Sequence, residues 1–109
     1  MEPHLPFLLV RAVPVPEERE AFGRWFRHVH LRDVRRIPGF KSIHHAEGHD
    51  GSLIGLYTFR DAGGVQATLS SPEAAYARGT WEQWTPVLEE LAVEVFVPMV
   101  PLPLYHSRN

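Results

Sequence analysis

An aromatic stripe that ends in a histidine constrains the fold of this chain more than any other feature. Phe22, Phe26 and His30 are spaced four residues apart, and Trp25 and Val29 fall between them. On an α-helix, this spacing places all five side chains along one face. The stripe therefore predicts a helix that packs an aromatic face against a core and holds His30 at the edge of that buried face.

The residues on either side of the stripe predict the limits of this helix. Pro16 suits a first helical position, and the carboxylates that follow it are favoured near the positive end of the helix dipole. Pro38 keeps the residue before it extended and Gly39 admits a turn, so the helix must end before them. We therefore expect a first helix from about Glu17 to Arg35.

Apolar runs and turn residues predict the other elements. Residues 7–13 are apolar at both alternations, which is typical of a strand covered on both faces. A Gly-His-Asp-Gly turn at 48–51 predicts a hairpin, and Ser71 before Pro72 is a helix N-cap. The expected elements in order are strands at 7–13, 40–47, 52–59 and 91–100, the first helix, a short helix at 65–69, and helical segments at 72–77 and 81–90 interrupted around Gly79.

This order of elements is the α+β, ferredoxin-like βαββαβ plan, with helices on one side of a four-stranded antiparallel sheet. The chain of 109 residues suits one domain over residues 1–109. Helices cover one face only, whereas the strands are apolar on both faces. We therefore expect a homodimer in which two sheets pack together as a barrel-like core. The proline-rich stretch 101–106 should lie at an edge, cross to the partner or be loose.

Composition excludes several classes of function. Eleven basic and thirteen acidic residues give a net charge of -2, which argues against nucleic acid as a partner. Cysteine is absent, so disulfides, thiol nucleophiles and thiolate metal sites are excluded. The sequence has no phosphate-binding glycine loop, nucleophile elbow or membrane span, and its first residues lead us to expect no signal peptide. We expect a cytoplasmic protein with no cofactor and no membrane partner.

Seven histidines invite a metal site, but their spacing argues against one. His28 and His30 lie about 200° apart around a helix, and the adjacent His44 and His45 point to opposite faces of a strand. Neither pair can chelate one ion. A metal would need His30 to meet a strand histidine and a carboxylate from another element. We therefore expect no metal ligands.

The same alternation selects the other candidate site residues. If Phe40 faces the helices, Ser42 and His44 share that side, so we take His44 as the second catalytic candidate. Arg11 points either into a ligand cavity or past the sheet edge. The expected aromatic lining of a substrate site comprises Phe22, Phe26, Tyr57, Trp81 and Trp84.

One block of sequence resembles a known family. Trp25-Phe26-x-x-x-His30-Leu31, followed by Ile37-Pro38-Gly39-Phe40, resembles the EthD-like branch of the dimeric α/β-barrel superfamily, and the likeness spans roughly residues 7 to 100. It implies a ferredoxin-like homodimer with a pocket between helices and sheet. Different members use that pocket for cofactor-free cyclisation, isomerisation, lyase chemistry or oxygenation of small organic molecules. This chain departs from the pattern at Arg32, where relatives often have proline, and at the additional His28.

The residues and the resemblance together favour a cofactor-free enzyme. In this interpretation His30 is the acid/base group for a small, largely apolar carbonyl or phenolic substrate, and Arg11 or His44 stabilises an enolate. A lone histidine at this spacing is more often an ordinary semi-buried residue that packs and makes one hydrogen bond. The alternatives are therefore a non-catalytic small-ligand-binding dimer module and a cofactor-independent oxygenase.

Overall fold

The computed structural model of the chain describes residues 4–99, so the expectation for residues 101–106 lies outside the described part. Its strands and helices are β1 (Phe7–Pro14), α1 (Arg19–Trp25), a π-helical segment (Phe26–His30), α2 (Leu31–Arg35), β2 (Phe40–Glu47), β3 (Leu53–Phe59), α3 (Val65–Leu69), α4 (Pro72–Gly79) and β4 (Leu88–Phe96). Short 3-10 helices occur at Pro16–Glu18, Ala62–Gly64 and Thr85–Val87. None of the described helices is long and apolar enough to cross a membrane.

The four strands form one antiparallel sheet in the order β2-β3-β1-β4. The two central strands are β1 and β3, and the hairpin of β2 and β3 lies at one edge. This arrangement confirms the α+β, ferredoxin-like fold expected from the order of elements.

One face of the sheet packs against the helices. On β1, Leu8, Val10 and Ala12 lie opposite Tyr57, Gly55 and Leu53 of β3. Two clusters of buried side chains fill this side of the molecule, one beneath α1 and the other beneath α2, α3 and α4. The core therefore lies between the sheet and the helices, as the aromatic stripe predicts.

No helix of the described chain covers the other face. Leu9, Ile54 and Leu56 lie on it, and each remains partly exposed. The rings of Phe7 and Phe96 stack on this face with centroids 5.2 Å apart. We call this surface the open face.

A bulge in β2 reverses the expected orientation of two histidines. Phe40 pairs with Phe59, but Ser42 pairs with Thr58, so the register shifts by one residue between them. Because side chains alternate along a strand, His45 faces the helices and His44 lies exposed on the open face. The expectation that His44 shares the side of Phe40 is wrong.

The last part of the helical prediction is also wrong. Residues 81–84 form a turn, a 3-10 helix follows, and β4 begins at Leu88. Pro86 restricts the residue before it and has no N–H to donate to a helix. Leu88 and Glu90 pair instead with β1 and extend the sheet. By contrast, the Ser71 hydroxyl accepts the Ala74 N–H at 3.1 Å, which confirms the N-cap.

Candidate functional site

A cavity of about 410 Å³ lies on the helix side of the sheet. Its size falls in the range of sites that bind small organic molecules. Apolar side chains form most of its lining, including Leu8, Val34, Ile37, Phe40, Leu69, Trp81 and Val93. The polar or charged side chains among the lining residues are His30, Tyr57 and Arg78. The cavity therefore suits a largely apolar ligand that offers a polar group to His30 or Tyr57.

A tyrosine hydroxyl between two imidazoles is the main polar feature of the cavity wall. Tyr57 Oη lies 2.7 Å from His30 Nε2 and 2.9 Å from His45 Nε2. A phenol has one proton to donate, so one imidazole accepts that proton while the other donates its N–H to the oxygen. The three side chains form a continuous hydrogen-bonded chain, which we call the His–Tyr–His chain.

Aromatic contacts and an unusual helical turn fix His30. The segment Phe26–His30 is π-helical, and the Leu31 N–H donates to the carbonyl of Phe26, five residues earlier. Single π turns inside helices are frequent at functional sites. The His30 ring stacks on Phe26 and Trp25 at centroid distances of 4.9 and 5.5 Å, and only 3% of the residue is exposed. Little freedom remains for the imidazole to rotate.

Gly55 provides the space that Tyr57 needs to reach both histidines. A Cβ atom at position 55 would lie within 2.5 Å of Cζ of Tyr57 and closer still to the hydroxyl. The Tyr57 side chain therefore leans along β3 over a residue that has no side chain of its own. Gly55 also lies opposite His45 in the strand pairing, which places the hydroxyl beside that imidazole.

Burial keeps the three groups uncharged at neutral pH. Desolvation lowers the pKa of His30 to about 3, and the neighbouring His45 contributes to that decrease. Desolvation lowers the pKa of His45 to about 4, with a further contribution from the charge of Arg35. Burial raises the pKa of Tyr57 far above its usual range. The site therefore holds two neutral imidazoles and a neutral phenol. Nδ1 of His30 has no hydrogen-bond partner among the described residues.

The structure brings together three of the sequence-selected residues. His30, Tyr57 and Trp81 all line the cavity, and the edge of Trp81 packs against His30 with centroids 5.0 Å apart. His45 completes the hydrogen-bonded chain in place of His44, which lies on the opposite face of the sheet.

The other candidates lie away from the cavity lining. Phe22 is fully buried against Trp84, with centroids 5.3 Å apart, in the core beneath α1. Phe26 packs under His30 and does not line this cavity. These three rings do not line the cavity, because the aromatic stripe packs beside it, in the core between α1 and the sheet.

Arg11 also lies outside the cavity. It alternates onto the open face, where its guanidinium contacts Asp50 and Glu90, each at 2.9 Å. The sequence left open whether Arg11 points into a ligand cavity. The structure shows that it does not, since the side chain lies on the open face. Arg11 therefore cannot stabilise an enolate formed beside His30.

The role of His45 could have been found from the hairpin. Counting outward from the turn, Glu47 pairs with Leu53, and His45 with Gly55. That register places His45 on the same face of the sheet as Tyr57. Counting from Phe40 fails because the alternation of side chains inverts at the bulge. Among the described residues, no group of three histidine or acidic side chains could hold a metal ion.

Comparison with known proteins identifies the fold class. No family model matches the chain, and no curated protein matches it. Solved structures do match it. Rv0793 from Mycobacterium tuberculosis is 21% identical, with a TM-score of 0.66, over 90% of this chain and 98% of that one. An EthD family protein from Bacillus halodurans is 16% identical, with a TM-score of 0.71, over 87% of this chain and 100% of that one.

A third match carries an enzymatic description. A protein from Nitrosomonas europaea, described as an antibiotic biosynthesis monooxygenase, is 17% identical, with a TM-score of 0.61, over 96% of this chain and 95% of that one. These similarities confirm the resemblance to EthD-like, ferredoxin-like α/β-barrel proteins at the level of the fold. At such identities the likeness shows the fold, and the chemistry must be argued from the site.

Proposed function

We propose that this protein is a cofactor-free enzyme that moves a proton on a small, largely apolar carbonyl or phenolic compound, in cyclase, isomerase or lyase type chemistry. His30 is the acid/base group. The observation that carries the proposal is a neutral, immobilised imidazole in the wall of an apolar cavity, with Nε2 hydrogen-bonded to Tyr57 and a buried Nδ1 that has no partner among residues 4–99.

The environment of His30 keeps the imidazole in the form that accepts a proton. Its lowered pKa leaves the imidazole unprotonated at pH 7, so it is available to accept a proton. The stacked rings of Trp25 and Phe26 hold it in one orientation, which reduces the entropic cost of aligning it with a substrate. A positioned base contributes about 10²–10⁴-fold to a rate.

The cavity lining indicates the class of substrate. Aliphatic and aromatic side chains favour a hydrophobic body, and the hydroxyl of Tyr57 and the imidazole of His30 offer polar contacts for one oxygen. Arg78, the one charged residue that the described part of the chain contributes to the lining, donates a hydrogen bond to the carbonyl of Leu69 at 2.8 Å. A compact aromatic ketone fits this description better than a sugar or a phosphate ester.

We further propose that the protein works as a homodimer. The open face carries partly exposed Leu9, Ile54 and Leu56 beside the stacked Phe7 and Phe96 rings. Two sheets packed through this face would remove those side chains from water, as in other aligned sheet packings. The cavity lies on the opposite side of the sheet, so each subunit would keep its own site.

A racemisation assay tests the proposed function. One enantiomer of 2-methyl-1-tetralone, a small bicyclic aromatic ketone, loses its optical purity when a base removes the α-proton and the planar enolate is reprotonated on its other face. We expect the protein to accelerate this racemisation, the His30→Ala variant to lose the acceleration, and the His28→Ala variant to keep it. His28 is exposed on the same helix and serves as a matched control. A panel of aromatic and polyketide-like carbonyl compounds extends the assay to other skeletons.

A cofactor-independent oxygenase is the second candidate. It is favoured by the structural likeness to proteins described as antibiotic biosynthesis monooxygenases. Oxygen consumption in the presence of a phenolic member of the panel distinguishes the two candidates, because proton transfer alone consumes no oxygen.

A further inference from the structure

The His–Tyr–His chain joins two separate cavities. His30 and Tyr57 line the large apolar cavity. His45 lines a second cavity of about 200 Å³ together with Phe26, Arg27, Glu47 and Leu53. The hydroxyl of Tyr57 therefore connects an imidazole that faces the proposed substrate site with one that faces a different space.

The second cavity has a charged pair on its rim and lies at the protein surface. Arg27 Nη2 and Glu47 Oε1 are 3.2 Å apart on its rim, and their side chains are 52% and 59% exposed. β2, which carries His45 and Glu47, is an edge strand of the sheet. His45 is half-buried, whereas His30 is almost completely buried. His45 is therefore the less buried of the two imidazoles, although Nδ1 of each is buried without a hydrogen-bond partner among the described residues.

A ligand in the large cavity would isolate His30 further from solvent. After accepting a proton, His30 would be an imidazolium stacked between aromatic rings, with no carboxylate among its hydrogen-bond partners. Burial of such a charge is unfavourable. His30 can act as a base in this position only if its positive charge can move to another group.

Resting on the proposed function, the geometry points to His45 as a proton-relay residue, which takes the positive charge from His30 through Tyr57 and holds it in the less buried part of the chain until the enolate is reprotonated. His45 then acts on the reaction through the same hydrogen-bonded chain that holds His30.

No proton transfer in this relay requires Tyr57 to become charged. The C–H bond of the substrate breaks, its electron pair remains as the enolate, and the proton goes to Nδ1 of His30. The Nε2 proton of His30 passes to Tyr57 Oη as the hydroxyl proton passes to Nε2 of His45. The charge then lies on His45, and it returns to His30 by the reverse exchange when Nδ1 of His30 gives its proton back to the enolate. The raised pKa of Tyr57 disfavours a phenolate, which is consistent with a concerted exchange at the hydroxyl.

The surroundings of His45 include charges of both signs. Arg35 disfavours a proton on this imidazole, and Arg27 lies on the same cavity, where Glu47 pairs with it. The pKa of His45, about 4, is higher than that of His30, about 3. Both imidazoles therefore hold a proton weakly, so a proton that reaches His45 does not remain there.

Chemical rescue tests the relay. The His45→Ala variant should racemise 2-methyl-1-tetralone at least about tenfold more slowly than the unmodified protein, at the lower end of what a proton-transfer group contributes. Imidazole in the buffer should restore the rate, because it fills the vacated position beside Tyr57. Pyrazole, which has the same shape but is a much weaker base, should not. Rescue by both compounds, or no loss of rate in His45→Ala, would overturn the proposal.

A matched pair of variants separates the relay from a structural effect. His44→Ala removes the adjacent imidazole from the open face, so its rate should equal that of the unmodified protein with or without imidazole. The Tyr57→Phe variant should lose as much rate as His45→Ala, and the double variant no more than either single one. If His30→Ala abolishes racemisation while these variants do not change it, His30 remains the base and the relay is refuted.

A measurement without substrate keeps the relay testable if the ketone is not racemised, a result that would count against the proposed function. In ¹⁵N-histidine-labelled protein, NMR reports which ring nitrogen carries the proton. Once His45 is protonated, Tyr57 must donate to His30, so His30 should carry its proton on Nδ1. This response should disappear in Tyr57→Phe. A charged His45 beside a His30 that still holds its proton on Nε2 would contradict the relay.

Discussion

Gly55 has no chemical role of its own, yet the Gly55→Ala substitution should disrupt the site. The new Cβ would lie within 2.5 Å of Cζ of Tyr57 and overlap its hydroxyl, so the ring has to move. Phe40 packs against one side of that ring at a centroid distance of 5.6 Å, and Tyr57 is only 1% exposed. A ring so enclosed can move only by displacing its neighbours or breaking both hydrogen bonds to the histidines.

The expected loss of stability follows from these contacts. Overpacking a filled core costs about 1–3 kcal/mol, and each buried polar group left without its partner costs about 1–3 kcal/mol. His30 Nε2 and His45 Nε2 are the groups at risk. Because relaxation avoids part of each cost, we expect a decrease of roughly 2–4 kcal/mol in the free energy of unfolding. This is a large fraction of the stability of about 5–15 kcal/mol that is usual for a domain.

Urea denaturation followed by circular dichroism measures this decrease. Gly79→Ala is the matched control, since no atom lies within 4 Å of the position of its Cβ and Gly79 ends α4 without a positive φ. The control should be neutral or slightly stabilising. A Gly55→Ala protein as stable as the control would refute the close packing of Tyr57 over position 55.

Two further predictions concern pH and assembly. The pKa values of His30 and His45 in the folded protein lie below the usual 6.5, so the unfolded chain binds more protons between those values. The free energy of unfolding should therefore fall as the pH decreases from about 6.5. His30 should contribute about 1.4 kcal/mol per pH unit, and His45 should act in the same direction. Unchanged urea midpoints between pH 7 and pH 5 would contradict this prediction. The Leu56→Asp substitution on the open face should convert the dimer to a monomer in sedimentation velocity. The Tyr76→Asp control changes a residue of α4 that is 60% exposed, and it should leave the dimer intact. A monomeric unmodified protein would refute the dimer.

The sequence was sufficient for most of the fold because the strong local signals agreed with one another. The stripe of Phe22, Phe26 and His30 predicted the first helical region, and the turn at 48–51 predicted the hairpin of β2 and β3. Ser71 and Pro72 marked the start of α4, as the structure shows. In these places a capping residue, a turn and a periodic apolar pattern all act over a few residues, so tertiary contacts need not override them.

The site was harder to predict because it depends on a single inserted residue. The bulge between Phe40 and Ser42 inverts the alternation of β2, and everything after it changes face. Counting from Phe40 therefore selected His44, although the hairpin register indicates His45. The error at residues 81–90 has a similar origin, because pairing with β1 draws Leu88 into the sheet. Both features arise from contacts between elements, which local periodicity does not contain.

The most direct test of the central claim is the rate at which purified protein racemises one enantiomer of 2-methyl-1-tetralone at pH 7, compared between the unmodified protein and His30→Ala. If His30 is the base, the variant should lose about 10²–10⁴-fold of the catalysed rate. Circular dichroism and sedimentation should show that its fold and assembly are unchanged, and His28→Ala should retain the full rate. Equal loss of rate in both variants, or racemisation by a folded His30→Ala protein at the unmodified rate, would show that His30 is a packing residue of the core.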